Sequence, residues 1–212
     1  MTSKIDVSID DKGNVSAKVY GARTCWAKID RPEPDMDEAT GLARMNDDGT
    51  PRMKWRTQLL VPKSAPGVTE LRTAAEALRK RNGGAGKLAA IKDGDAEIAR
   101  LVGEGKRPED LELYRGMAIL SASSSRRPDI RGTDIYSGCE VAAGIRLHWY
   151  EAKGNKGIAA YLNAIVKTGP GERIGGGGMT ADDLGVAEYR EEPADPLSGS
   201  RGSVPGPDDW GT

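Results

Sequence analysis

The chain has 212 residues, 30% of them charged, and a formal net charge of −1, which fits one soluble domain with a tail. It has no run of about 18 apolar residues, so we expect no membrane span, and its N-terminus lacks the apolar stretch of a signal peptide. Cys25 and Cys139 lie far apart and have no CxxC partner, so a disulfide framework or zinc site is not expected. Buried free thiols and a reducing, cytoplasmic location are the favoured interpretation.

The first third of the chain alternates between strand patterns and turn-rich segments. Residues 1–14 are polar and predict a flexible arm or a short edge hairpin. Residues 16–29 are rich in β-formers and predict a strand, with Gly21 as a bulge or bend within it. A loop rich in Pro, Asp and Gly is expected over 31–50. Residues 53–61 then predict a strand with one wet face.

The segment 68–82 predicts the main helix. Apolar residues recur in it at helical spacing, and Asn82 with the two glycines that follow supplies a stop signal. A second, short helix is possible over 96–102. A loop is expected over 107–110.

The second half of the chain returns to strand patterns. Residues 114–123 and 140–150 predict strands, joined by an arginine-bearing connection. The apolar segment 158–167 fits either a strand or a helix followed by a strand. The resulting pattern predicts a mainly β fold, an OB-type five-stranded barrel with one main α-helix. A sandwich or an α+β sheet remains open on periodicity alone.

The composition changes near the C-terminus. From residue 188 onward six acidic residues outnumber two arginines, and Pro, Gly and Ser dominate, which is typical of disorder. The predicted organisation is a flexible arm at 1–14, an OB-fold domain at 15–185 and a disordered acidic tail at 186–212. The remainder of the chain is mildly basic by difference.

Motifs for catalysis are missing from the sequence. It contains no phosphate-binding loop of the Walker type, no GxSxG and no HExxH motif. Asp-Gly turns at 47–49 and 93–95 lack the continuation of a calcium loop. The single histidine, His148, has no evident catalytic partner. We therefore expect no enzyme activity, no metal and no cofactor.

Aromatic and basic residues instead occur together on the predicted strands. A groove for a single strand needs cations that neutralise phosphates and flat rings that stack on bases, each stack worth about 1–3 kcal/mol. Such aromatics are core residues at least as often as stacking platforms. The predicted stacking residues are Trp26, Trp55, Tyr114 and Tyr150. The predicted phosphate contacts are Arg23, Lys54, Arg56, Arg126, Arg127, Arg146 and Lys167.

Trp149 and Tyr150 are neighbours on one strand, so they point to opposite faces and only one can line such a groove. In the tail, Asp208, Asp209 and Trp210 form an acidic tip with one large apolar residue. This tip could dock on a partner protein, and an inert solubilising tail is the equally weighted alternative. An acidic segment tethered to a basic groove would also compete with DNA through its local concentration.

Several short motifs together resemble the bacteriophage single-stranded DNA-binding proteins first catalogued as a domain of unknown function. The motifs occur in the family's order and are RTQLLVPK (56–63), KDGD (92–95), YSGCEV (136–141), GNKGIAAYLN (154–163), GERIG (171–175) and ADDL (181–184). The loop at 31–50 is longer than the family's, Trp26 stands where Tyr is expected, and Leu184 where Phe is usual.

The resemblance implies an OB fold, sequence-tolerant binding of single-stranded DNA, a role in phage replication or recombination in the host cytoplasm, and an acidic tail that recruits replication or recombination proteins. A non-catalytic β-barrel module for protein interaction or assembly is the alternative. No membrane partner is expected, and a homodimer stays open.

Overall fold

The computed structural model describes residues 2–37, 40–152 and 155–174. The predicted tail, with Asp208, Asp209 and Trp210, lies outside the described residues. The described strands are β1 (Lys4–Ile9), β2 (Val15–Pro34), β3 (Met53–Pro62), β4 (Ile91–Asp93), β5 (Met117–Ser124), β6 (Asp129–Arg131), β7 (Glu140–Ala152) and β8 (Asn155–Gly169). The helices among them are α1 (Val68–Arg81), α2 (Gly94–Gly103) and a 3₁₀ helix (Pro108–Tyr114).

Five strands close into a barrel. β2 pairs with β3 and β7, β3 pairs with β5, β7 pairs with β8, and a parallel pairing between β5 and β8 completes the ring. Around the ring the strands therefore follow the order first, second, third, fifth, fourth, which has the Greek-key character of the OB fold. The predicted mainly β barrel is confirmed, and the sandwich and the open α+β sheet are excluded.

Strand β2 is 20 residues long and pairs with β1, β3 and β7, and it bends along its length. Its register with β7 shifts between Val19 and Ala22, and Gly21 between them has φ of 58°. This confirms the predicted bulge, since a glycine adopts positive φ without a side-chain clash. A second shift separates Cys25 from Lys28 in the pairing with β3.

Apolar side chains fill the barrel and cover part of its outside. Because side chains alternate along β3, Leu59 and Val61 point into the main core, whereas Leu60 points to the outer side. There it packs with Tyr114 and Ile119 in a second group of buried residues, which we name the outer core cluster. Both cysteines are buried and free, as predicted. The 3₁₀ helix and α2 lie over this outer cluster, so one part of the barrel wall is closed to solvent.

Helix α1 confirms the prediction for 68–82, with its buried residues at the expected spacing. Gly67 precedes it with φ of 86°, and a Cβ there would stand 1.9 Å from the carbonyl oxygen of Ile5. The amide of Ile5 donates to the Pro66 carbonyl at 2.9 Å, which ties β1 to the start of the helix.

Helix α2 is longer than the predicted 96–102. It begins after Asp93, whose carboxylate accepts from the amides of Asp95 and Ala96 and so satisfies two otherwise unpaired donors. Lys63 holds the same carboxylate at 2.7 Å and also reaches Asp95.

Several local predictions need correction. Of the two alternatives for residues 1–14, the short edge hairpin is confirmed and the flexible arm is wrong: β1 pairs with β2 over six residues and buries Ile5, so the folded domain begins near Lys4 rather than at 15. Tyr114 ends a 3₁₀ helix and does not begin a strand. The ambiguous segment 158–167 is strand throughout, within β8. The short strands β4 and β6 had no prediction.

Residues 31–34 of the predicted loop belong to β2, and described residues after them extend the β2–β3 hairpin. We name residues 35–52 the β2–β3 lobe. Isolated bridges join Met36 to Ala43 and Met45 to Pro51 within it. At its base the Asp35 side chain is buried, and Arg44, Arg52 and Lys54 approach its carboxylate within 3.7 Å.

Candidate nucleic-acid interface

The outer face of β3 and β5 carries polar and cationic side chains where the outer core cluster ends. Lys54, Arg56 and Gln58 alternate with inward-facing residues on β3. Ser123 and Ser121 are the register partners of Arg56 and Gln58 on β5. Since antiparallel partners point to the same side of a sheet, these side chains form one continuous surface.

A cavity of about 510 Å³ opens on this surface. Its wall combines one indole, three cations and small residues, among them Trp26, Lys28, Lys54, Arg56, Gln58 and Ser123. OB folds bind extended oligonucleotides on the face of their second and third strands, which here are β3 and β5. The cavity thus lies on the face that this fold uses for ligands.

Trp26 stands at the edge of the cavity in a constrained position. Its φ is 50°, a value that costs a non-glycine residue roughly 1 kcal/mol, and its side chain is 64% exposed. The indole Nε1 donates a hydrogen bond of 3.0 Å to the Tyr114 hydroxyl. A large apolar ring is thereby held in the solvent.

Tyr114 is the support for Trp26. Its ring is only 6% exposed, and its hydroxyl donates to Gln58 Oε1 at 3.2 Å while accepting from Trp26. Burial raises the pKa of Tyr114 to about 12, so the hydroxyl stays neutral near pH 7. The prediction that Tyr114 stacks on a base is therefore wrong, because its ring faces are covered by the outer core cluster.

Each cation of the cavity has a carboxylate partner. Glu33 binds Lys28 at 2.9 Å and also pairs with Arg56. Lys54 lies 3.7 Å from Asp35. The hydrogen bond from Lys28, together with Arg56, lowers the pKa of Glu33, so this carboxylate is ionised at neutral pH. The cationic wall is partly neutralised from within the protein.

A second cavity, of about 470 Å³, adjoins the first where Ser123 on β5 pairs with Tyr161 on β8. Arg126 and Arg127 from the connection after β5 line it, together with Arg146 from β7. The structure thus brings together three of the predicted phosphate contacts, all with exposed side chains.

Tyr161 forms the aromatic part of this second cavity. Its ring stacks on His148 with centroids 3.8 Å apart, and the Arg146 guanidinium lies 5.6 Å from the ring centroid. Tyr161 is 38% exposed, so part of the ring remains open to solvent. Burial lowers the pKa of His148, and the imidazole is neutral at pH 7.

Two predicted phosphate contacts are engaged elsewhere. Arg23 donates to the carbonyls of Gly138 and Glu172, and Lys167 donates to the Asp134 carbonyl at 2.9 Å. Neither lines either cavity. Their side chains bind the turn before β7 and the segment after β8, and a phosphate contact by either residue stays a prediction.

The remaining aromatic predictions divide by strand face. Trp55 is half-buried on the inward-facing side of β3, opposite to Lys54 and Arg56. Tyr150 is half-buried on the same side of β7 as Arg146, and Trp149 packs against the main core. Trp149 and Tyr150 thus diverge as alternation requires, but neither Trp55 nor Tyr150 lines either of the two cavities described above.

Lys28, Glu33 and Tyr161 were not among the predicted stacking and phosphate-contact residues. Tyr161 lies within the GNKGIAAYLN motif, and the alternation Ala159, Tyr161, Asn163 would have indicated an outward ring once 158–167 was known to be a strand. Glu33 lay in a predicted loop. Its contact with Arg56 spans 23 positions, which no local pattern reveals.

Two further findings concern only the described residues. No group of three or more His, Cys, Asp or Glu side chains among them could hold a metal ion. None of their helices is long and apolar enough to cross a membrane.

The fold and this face define an OB-type barrel with an aromatic and cationic ligand surface. The family model of the Enterobacter phage Enc34 ssDNA-binding protein matches residues 42–195, and the chain belongs to that family. The predicted resemblance is confirmed. No curated protein sequence matches the chain.

Solved structures of a family member are similar to this chain. The single-stranded DNA-binding protein from bacteriophage Enc34 in complex with ssDNA is 26% identical, covers 81% of this chain and 99% of its own, and superimposes with a TM-score of 0.56. A second structure of the single-stranded DNA-binding protein from bacteriophage Enc34 is 26% identical, with a TM-score of 0.55 over 86% of this chain and 99% of its own.

Proposed function

We propose that this protein binds single-stranded DNA, with little sequence preference, along the outer face of β3, β5 and β8. The observation that carries the proposal is Trp26, an exposed indole fixed by Tyr114 at the edge of a cavity that three cations line. The similar single-stranded DNA-binding protein from phage Enc34 has been solved in complex with ssDNA, which supports the same ligand for this chain.

The chemistry of the face favours single-stranded over double-stranded DNA and gives little preference for a particular sequence. Every base has a flat ring face that can stack on Trp26 or Tyr161, and lysines and arginines attract phosphates regardless of the bases. A paired duplex has its bases stacked on each other and cannot offer them to an indole. The two adjoining cavities together provide a path for several nucleotides, with Trp26 near one end and Tyr161 near the other.

The biological role follows from the ligand. We propose that the protein covers single-stranded intermediates of phage DNA replication or recombination in the host cytoplasm, without catalysis. In this proposal the acidic tail at 186–212 recruits partner proteins through Asp208, Asp209 and Trp210. It also competes with DNA for the cationic face, so removal of 188–212 tightens DNA binding at low salt.

A titration tests the proposed ligand. Addition of an oligo-dT strand to the full chain is expected to quench tryptophan fluorescence, with an affinity that falls as salt rises. Double-stranded DNA of the same length is the control and binds more weakly in the same buffer. Absence of quenching and of retention on immobilised single-stranded DNA would overturn the proposal.

An interaction module is the second candidate, and the β2–β3 lobe favours it. Met36, Leu42 and Met45 are each at least 50% exposed there, and exposed apolar clusters mark protein contacts. Substitution of these three residues by Ser leaves oligo-dT affinity unchanged if the lobe serves protein contacts. A large loss of DNA affinity would instead assign the lobe to the DNA site.

A further inference from the structure

Glu33 pairs with two of the three cations that line the first cavity. Its carboxylate bridges Lys28 on its own strand and Arg56 on β3, two residues that are register partners. The side chains of Lys28 and Arg56 are 42% and 56% exposed, and both line the cavity. The two cations nearest to Trp26 along this wall are therefore already paired with an anion.

The local backbone places Glu33 at this point. The pairing of β2 with β3 is irregular between Lys28 and Glu33, so the four residues between them are accommodated in the irregular stretch. Glu33 then re-enters the register opposite Lys54. Its side chain is 35% exposed, which leaves the carboxylate within reach of solvent and of an incoming ligand.

A carboxylate and a phosphate compete for the same donors. Both are oxygen anions that accept hydrogen bonds from Arg and Lys, and the guanidinium fork suits either. A phosphate that enters the cavity must displace Glu33 from Lys28 and Arg56 or remain next to a like charge. Either course weakens binding, and the exposed ion pairs themselves are weak enough to exchange.

On this basis we propose that Glu33 is a built-in competitor of the DNA phosphate, which holds Lys28 and Arg56 in place in the free protein and limits the affinity for single-stranded DNA. The inference rests on the proposed function and assigns a specific residue to its control. It also explains how the charges of Lys28 and Arg56 are partly neutralised when no DNA is bound. The consequence is a moderate affinity that lets the protein leave the strand.

The test compares wild type with Glu33→Gln, which keeps size and hydrogen-bonding capacity but removes the charge. We expect the variant to bind an oligo-dT strand about threefold to tenfold more tightly at low salt. The slope of log affinity against log salt should become steeper by about 0.7, because no freed carboxylate then recruits a counterion. Glu70→Gln, an exposed residue of α1, is the charge-matched control and leaves both quantities unchanged.

A second comparison separates competition from a general effect of charge. A long-range field effect is additive, so the gain from Glu33→Gln would be the same in a Lys28→Met background. Competition for Lys28 makes the gain smaller there, because one of the two released cations is missing. Circular dichroism checks that each variant is folded.

Three results would overturn the inference. Equal or weaker binding by Glu33→Gln, with wild type binding normally, contradicts the competing role and leaves the proposed function standing. An undiminished gain in the Lys28→Met background contradicts direct competition. Failure of wild type to bind oligo-dT overturns the proposed function, and this inference with it.

Discussion

The Trp26 indole donates a 3.0 Å hydrogen bond to the hydroxyl of Tyr114, which lies 88 positions later in the chain. One partner is largely exposed and the other is buried in the outer core cluster. The bond therefore connects the ligand face to the packed wall of the barrel. It fixes the orientation of a ring that would otherwise rotate freely on an unusual backbone conformation.

Tyr114→Phe removes this hydrogen bond and the one that the hydroxyl donates to Gln58, and it keeps the packed ring. We expect the free energy of unfolding to fall by about 1–2 kcal/mol, the typical worth of two such bonds. Oligo-dT affinity should fall by a few-fold, because Trp26 then samples orientations that do not stack. Chemical denaturation and fluorescence titration measure the two effects.

Tyr20→Phe is the matched control for that change. Tyr20 is half-buried on the same strand as Trp26, and the ammonium of Lys4 lies 4.9 Å from its ring centroid. Its substitution should leave DNA affinity unchanged. An affinity of Tyr114→Phe equal to that of Tyr20→Phe would show that the bond does not position Trp26 for binding.

Basic residues that line a cavity and basic residues that are bound within the protein should affect the salt dependence of DNA affinity differently. Arg126→Met removes an exposed cation of the second cavity, so the salt slope should become shallower by about 0.7. Lys167→Met removes a cation that is bound to Asp134 and lies 4.8 Å from the Tyr136 ring centroid. It should lower thermal stability slightly and leave the slope unchanged. Equal slopes for the two variants would contradict this division.

Glu97 makes the free energy of unfolding depend on pH in the acid range. Hydrogen bonds from Arg100 and a contact with Lys92 lower the pKa of Glu97 to about 2 from an ordinary 4.5. A lowered pKa in the folded state contributes stability above pH 4.5, which is lost as the pH falls toward 2. Glu97→Gln should therefore reduce the free energy of unfolding by about 1–2 kcal/mol at pH 7, allowing for solvent screening.

The difference between Glu97→Gln and wild type should shrink steadily in denaturation curves taken from pH 5 down to pH 2.5. Glu104→Gln is the control, because Glu104 binds the same arginine but is 55% exposed. A constant difference across this pH range would mean that the charge of Glu97 does not contribute.

Gly67 tests whether β1 is an integral part of the fold. Gly67→Ala would force a Cβ against the Ile5 carbonyl at a positive φ, and we expect a loss of about 3 kcal/mol or more in the free energy of unfolding. Gly83→Ala has a similar φ and open space around it, so it should cost about 1 kcal/mol. Similar losses for the two variants would show that β1 is not held against the start of α1.

Much of the barrel was predictable because its information is local. Alternation in 53–61 and 140–150, and the helical spacing in 68–82, determine which faces are buried, and these predictions are confirmed. Gly21 marked the bend of β2 correctly. Each signal arises within one element, where the period of the side chains and the buried face coincide.

The ligand face was harder to predict because it depends on contacts between distant parts of the chain. Tyr114 is the last residue of a 3₁₀ helix that begins at Pro108, and only the tertiary fold shows that its ring is covered. No local pattern shows that Arg23 binds Glu172 or that Lys167 binds Asp134, because each pair is far apart in the sequence. Tyr161 was overlooked since its segment could not be assigned to strand or helix, and thus had no definable outer face.

The central claim is that single-stranded DNA lies across Trp26 and Tyr161. Anisotropy of a labelled oligo-dT strand, titrated in parallel with wild type and with the Trp26→Ala/Tyr161→Ala double variant, tests it most directly. Two lost stacks should weaken binding by about a hundredfold or more, while thermal unfolding shows that the variant remains folded. No binding by wild type, or equal affinity of the two proteins, would contradict the account.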